Sequence, residues 1–103
     1  MKEEIVREFK KVSSREKAKV LQRFFKTGKG EYGEGDVFVG VVVPNIRLLV
    51  RKYYSEMSWD DISFFLHSEV HEFRLFALLV LVRRFEKGDE QKVIYDYYIG
   101  NRK

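Results

Sequence analysis

The chain has 103 residues, of which 20 are Lys or Arg and 16 are Asp or Glu, so its formal net charge is +4. This length predicts a single domain, residues 1–103, with one modest core, and it excludes an enzyme with separate cofactor and substrate domains. The chain contains no cysteine, which excludes disulfides, zinc–cysteine sites and thiol nucleophiles.

Apolar residues at helical spacing predict two helices before the first glycine. Within residues 3–12, the side chains that share one helical face are Ile5, Val6, Phe9 and Val12. Ser13 and Glu16 have the spacing of a capping box, which predicts that the second helix begins there. Gly28 is expected to end this second helix, because glycine readily adopts the conformation that closes a helix.

The middle of the chain combines a glycine-rich stretch with a β-branched one. Residues 28–36 read GKGEYGEGD, which predicts a loop. Residues 37–43 read VFVGVVV and have high β-propensity. No other segment offers them a strand partner, and a single strand is not stable by itself. We therefore predict buried extended chain here, or a short helical turn that leads into Pro44.

Two helices are predicted between Pro44 and His67. Proline suits the first turn of a helix, and the residues after Pro44 carry an apolar stripe that ends at Tyr53. Ser58 and Asp61 resemble a capping box, with Asp in place of the usual Glu or Gln, and predict a second helix start. This helix is expected to break near His67.

Residues 70–86 predict the most apolar helix of the chain. Because it is apolar on nearly all sides, we expect it to be central and covered on both sides. Gly88 is expected to end it, and Asp89 to begin a last helix.

These elements predict an all-α fold made of helix pairs. Two helix pairs span 14–54 and 58–86, and a third begins at 89, which makes about two and a half pairs. Two phenylalanine doublets, at 24–25 and 64–65, lie 40 residues apart, which matches the HEAT period. The unpaired last helix predicts missing sequence or a partner chain, including self-association at the open C-terminal end.

Motifs for small-molecule chemistry are weak in this sequence. Residues 28–33 match G-x-G-x-x-G, but a dinucleotide fold needs a strand before that motif and a helix opening at it. His67 and His71 are four residues apart, yet the predicted helix break lies between them and there is no third His. We predict no metal site and no cofactor, and no catalytic residue is assigned from these patterns.

Basic residues point instead to a polyanion partner. Positions 1–57 carry 13 basic and 8 acidic side chains, a net charge of +5, whereas 58–103 carry 7 and 8, a net charge of −1. Arg23, Lys26, Lys29 and Tyr32 lie near one predicted helix end, and Arg47 and Arg51 lie on the helix that follows the glycine-rich loop. Cations at this density are candidates for contacts with the phosphates of such a partner. The alternative is that these cations belong to an ordinary solvated helical surface.

Two segments carry a family resemblance. They are RFFKTGKGEYGEGDVFVGV of residues 23–41, which runs into Pro44-Asn45-Ile46-Arg47, and SEVHEFRLFALL of residues 68–79. With the break at Lys87-Gly88-Asp89, they resemble the N-terminal part of the DNA alkylation repair family, the AlkD-like DNA glycosylases.

The resemblance implies a stack of HEAT-like helix pairs whose concave, basic face binds double-stranded DNA with alkylated bases. It implies hydrolytic excision of purines that carry a positive charge, such as 3-methyladenine and 7-methylguanine, without a metal or an organic cofactor. It also places Lys26, Lys29, Tyr32 and Arg47 within a matched motif, where they are expected to contact the DNA backbone.

The sequence departs from the family where catalysis is expected. Family members carry a Trp-Asp segment just after the helix that ends near Lys103, and that segment does not occur here. Trp59, Asp60 and Asp61 do not match it, so no catalytic role is assigned to them. We expect the N-terminal part of a longer enzyme, truncated or surviving as a remnant, and inactive alone. The alternative is a non-catalytic helical-repeat module that binds protein or DNA.

The remaining patterns concern location. The charged residues 1–4 do not resemble a signal peptide. The longest strongly apolar run, 75–82, has eight residues, whereas a membrane span needs roughly 20. We therefore expect a soluble, cytoplasmic protein with no membrane partner.

Overall fold

A computed structural model describes residues 1–24 and 37–88 of the chain. The described residues form five helices: α1 (Lys2–Val12), α2 (Arg15–Phe24), α3 (Val43–Tyr53), α4 (Trp59–Leu66) and α5 (His71–Glu86). Their only β-type pairing is a single bridge between Val37 and Val70. The all-α prediction is confirmed over this part of the chain, and the arrangement is compatible with helical repeats. The predicted helix that begins at Asp89 lies outside the described residues.

The core is centred on aromatic rings from α1, α4 and α5. Phe9 lies 4.9 Å from Phe73 and 5.4 Å from Phe76, measured between ring centroids, and Phe65 lies 5.2 Å from Phe76. The rings meet edge to face, the orientation that aromatic quadrupoles favour. The apolar stripe of α3 contributes Ile46, Leu49, Val50 and Tyr53 to the same core.

The extended segment before α3 is fixed by one buried carboxylate. The side chain of Glu72, on the first turn of α5, accepts hydrogen bonds from the backbone N–H groups of Val39, Gly40 and Val41 at 3.1, 2.8 and 3.2 Å. The bridge to Val70 adds two backbone hydrogen bonds. The prediction of buried extended chain is confirmed, and among the described residues no strand forms, since Val37 makes only a single bridge with Val70.

Gly40 brings this segment against the start of α2. Its φ of 77° lies in the left-handed region, and the backbone N–H of Ser14 donates to the carbonyl of Val39. The helix cap here differs from the prediction. The hydroxyl of Ser14 accepts from the N–H of Lys17, while Ser13 donates back to the carbonyl of Lys10 at the end of α1. Ser14 therefore caps α2.

The far end of α5 is tied to the turn between α3 and α4 by Arg84. Its Nε donates to the carbonyl of Tyr54 at 2.6 Å, and Nη2 donates to the carbonyl of Met57. Its guanidinium also lies 5.6 Å from the ring of Trp59. The capping box of Ser58 with Asp61 is confirmed at the start of α4.

The expectation that α5 is covered on both sides was wrong for its C-terminal half. Val82 and Phe85 are 50% and 45% exposed. The reason is that α3 and α4 pack on one face of α5, where Phe76, Ala77 and Val80 are fully buried. Among residues 1–24 and 37–88, the side of α5 that carries Val82 and Phe85 therefore stays exposed.

Candidate nucleic-acid interface

A groove runs between α3 and α5 on the outer side of the core. Its volume is about 460 Å³, and its lining comprises Arg47, Val50, Arg51, Leu79, Val82, Arg83 and Glu86. We call it the α3–α5 groove. Three of these side chains are apolar, and the other four are three arginines and one glutamate, a formal charge of 3 − 1 = +2.

The α3 wall follows from helical spacing. Arg47 and Arg51 are four residues apart, so they project from one face of the helix, one turn above each other. Both are exposed, because the apolar stripe on the other side of α3 packs into the core. They supply two cations on long, flexible stems that remain hydrated.

The α5 wall contributes an arginine in a different setting. Arg83 is partly buried, and its guanidinium carbon lies 4.9 Å from the centroid of the Tyr54 ring. Its Nε is buried and has no hydrogen-bond partner among the described residues. Such a cation–π contact orients the guanidinium plane as well as holding its charge.

A second polar cluster, between α1 and α3, lies outside the groove. Glu8 accepts hydrogen bonds from Lys52 Nζ, at 2.8 Å, and from the hydroxyl of Tyr53. The Lys52 hydrogen bond, with help from Tyr53, lowers the pKa of Glu8, and the same contacts with Glu8 raise the pKa of Lys52 and of Tyr53. Each of these pKa shifts favours the protonation state in which the hydrogen bonds form. The cluster therefore links α1 to α3.

The predicted site residues fall into two groups. Arg47 lies in the α3–α5 groove as part of its wall. Lys26, Lys29 and Tyr32 lie outside the described residues. The sequence did not single out Arg83, because its partner Tyr54 is on another element and no spacing links the two.

The histidines do not converge. His67 follows the end of α4, where Nδ1 meets Ser63, and the ring of His71 stacks 4.7 Å from Phe38 at the start of α5. Within the ranges that the structure describes, no group of three His, Asp or Glu side chains is placed to hold a metal ion. Trp59 lies against Arg84, away from the α3–α5 groove.

Comparison with known proteins identifies one family. A family model described as "DNA alkylation repair enzyme" matches residues 5–101. No curated protein and no solved structure matches the chain. Among the helices of the described residues, none combines the length and the apolar character that crossing a membrane requires.

Proposed function

The chain belongs to the DNA alkylation repair enzyme family, and we propose that it binds duplex DNA through the α3–α5 groove. The observation that carries this proposal is the convergence of three arginines from two helices on one groove. Duplex DNA presents a regular row of phosphates, and cations that neutralise them release condensed counterions. A concave surface with a net positive charge is suited to that partner.

Contacts with phosphates would set position along the duplex rather than sequence preference. That suits a repair protein, which must inspect any sequence. We extend the proposal to Lys26, Lys29 and Tyr32, which follow α2 in the chain and offer further cations and an aromatic ring to the same backbone. Arg47 joins them from the described part.

For the enzymes of this family, the reaction that we propose is the hydrolytic excision of cationic alkylated purines, such as 3-methyladenine and 7-methylguanine. A positive charge makes the base a good leaving group, and the sugar then develops oxocarbenium character that a nearby carboxylate stabilises. We assign no catalytic residue within this chain. Its part in the reaction is to hold the duplex.

The test is fluorescence anisotropy with a labelled duplex at several salt concentrations. We expect the logarithm of the affinity to fall linearly between about 50 and 200 mM salt. The double variant Arg47→Gln/Arg51→Gln should bind more weakly. Its salt slope should be shallower by roughly 2, since each phosphate that is no longer neutralised removes about 0.9 from the slope.

The matched control is Arg7→Gln/Arg15→Gln, which removes the same charge from exposed positions that do not line the groove. It should leave the slope nearly unchanged. Equal weakening by both double variants would mean that charge acts without a defined site. No binding at low salt would contradict the proposal altogether.

A helical-repeat module for protein interaction is the second candidate. The observation that favours it is an exposed apolar set on α3 and α5, in which Leu48 is 56% exposed alongside Val82 and Phe85. Protein binding through these side chains would be nearly independent of salt. Concentration-dependent self-association in sedimentation, abolished by Val82→Asp, would support it.

A further inference from the structure

The guanidinium of Arg83 is held more tightly than the other two arginines of the groove. It lies over the ring of Tyr54, at 4.9 Å, and the side chain is partly buried. Arg47 and Arg51 are exposed. An arginine that only supplies positive charge does not need to be held in this way, since an exposed arginine has the same charge.

Arg83 also carries a donor that the described residues do not satisfy. Its Nε is buried without an acceptor, and buried donors in native proteins almost always have a partner. Glu86 lines the same groove one turn away on α5, yet in the described part of the chain no ion pair joins it to Arg83. Arg83 therefore lines the groove with a guanidinium that no acidic side chain of the described residues neutralises.

The geometry of the guanidinium group indicates which kind of acceptor Arg83 would bind. A guanidinium presents N–H groups in a planar fork that matches two oxygens of one phosphate. When an aromatic ring fixes the plane, the fork points in one direction, and binding then costs less side-chain freedom. A phosphodiester supplies two such oxygens and a negative charge.

We propose that Arg83, positioned by Tyr54, is the fixed ligand for a single backbone phosphodiester in the α3–α5 groove, while Arg47 and Arg51 act as mobile charges on the opposite wall. This inference rests on the proposed function, since the phosphate belongs to duplex DNA. It differs from that function because it assigns geometry, and not only charge, to one residue.

The decisive variant is Arg83→Lys, which keeps the positive charge but removes the paired N–H groups of the guanidinium. In the anisotropy assay, Arg83→Lys should lower the affinity for duplex roughly tenfold, nearly as much as Arg83→Gln, because a lysine cannot reproduce a bidentate contact. The matched control, Arg15→Lys, should change the affinity less than about twofold, because Arg15 is exposed and does not line the groove.

Tyr54 supplies a second set of variants. Tyr54→Phe keeps the ring and should bind as wild type, whereas Tyr54→Leu should weaken binding. In the Arg83→Lys background, Tyr54→Leu should have no additional effect, since the two residues act as a unit. Additive effects in this double-mutant cycle would refute a positioning role for Tyr54.

A measurement on the unmodified chain keeps the test independent of folding of the variants. The Arg83 Nε–H resonance, observed by NMR with nitrogen-15 labelling, should shift when duplex is added. A shift with inorganic phosphate alone and none with DNA would overturn the proposal in favour of a small-anion site. Duplex binding in which Arg83→Lys and Arg15→Lys behave alike would also overturn it, while leaving the proposed function intact. A chain that binds no DNA would defeat the proposed function first.

Discussion

Replacing Gly40 by alanine should destabilise the fold far more than the same change at Gly88. Both glycines have positive φ, 77° and 79°, so both substitutions force an L residue into the left-handed region, at a cost of about 1–2 kcal/mol. Only at Gly40 does the new methyl group collide. A Cβ there would lie 1.9 Å from the carbonyl oxygen of Ser14 and 2.8 Å from the backbone nitrogen of Ala18, whereas a Cβ at Gly88 meets nothing within 4 Å.

The collision is with backbone, so a side-chain rotation cannot relieve it. The extended segment must move away from α2, which strains packing by about 1–3 kcal/mol. The move also weakens the hydrogen bond from Ser14 to Val39, worth roughly 1 kcal/mol. The total for Gly40→Ala is then about 3–6 kcal/mol, against roughly 1–2 kcal/mol for Gly88→Ala.

Urea unfolding, followed by the fluorescence of the single tryptophan, Trp59, measures both costs. Trp59 lies on α4 and contacts Arg84, so its signal reports on the core. A typical domain has about 5–15 kcal/mol of stability, so Gly40→Ala should have a much lower midpoint or be unfolded without urea. Equal free energies of unfolding for the two variants would refute the argument from backbone collision.

Two further predictions concern carboxylates. Glu72→Gln should lower the free energy of unfolding by about 2–4 kcal/mol, because an amide has one acceptor oxygen for three backbone N–H groups and brings its own donors among them. The control variant Glu69→Gln, at an exposed position, should change the free energy of unfolding little. If Glu72→Gln were as stable in urea as Glu69→Gln, the three hydrogen bonds to Glu72 would not stabilise the fold as argued. The pKa of Glu8 is lowered by Lys52 and Tyr53, so its contribution to stability is present above its ordinary pKa of 4.5 and disappears as the pH falls through the folded-state value. Melting temperatures measured against pH should therefore fall less steeply on the acid side for Glu8→Gln than for wild type or for the exposed Glu56→Gln, and identical acid limbs would exclude a role for Glu8.

Local signals predicted the helices well. Pro44 lies in the first turn of α3, Ser58 and Asp61 form the capping box of α4, and the break after Leu66 is present. These features depend on residues within one turn of each other, so spacing is sufficient to find them. Spacing could not decide between Ser13 and Ser14 as the cap of α2, because both have the right chemistry and only the backbone conformation separates them.

Contacts between distant residues were not predictable. Glu72 meets residues that lie 31 to 33 positions away, and Arg84 meets carbonyls 27 and 30 positions away. The sequence shows each as a charged residue on an apolar helix and contains no signal for its partner. The same holds for Arg83 and Tyr54, so the α3–α5 groove became visible only when α3 and α5 were placed side by side. Arg47, which the sequence singled out as a candidate for phosphate contacts, lies on the wall of this groove, and its contact with DNA stays a prediction.

These long-range contacts also connect the fold with the proposed interface. The hydrogen bonds to Glu72 fix the chain just before α3, and those from Arg84 fix the turn just after it. Two side chains of α5 thus fix α3 at both of its ends. We expect this to keep the two walls of the α3–α5 groove at a constant separation, as a rigid phosphate-binding surface requires.

The most direct test of the central claim is an NMR titration of the chain with duplex DNA, in which backbone amide shifts are mapped onto the described residues. The account predicts that the largest shifts fall on 47–51 of α3 and 79–86 of α5, and that they disappear at high salt. If the shifts were concentrated on α1 and α2, and α3 and α5 were unaffected, the assignment of the α3–α5 groove as the DNA-binding surface would be contradicted.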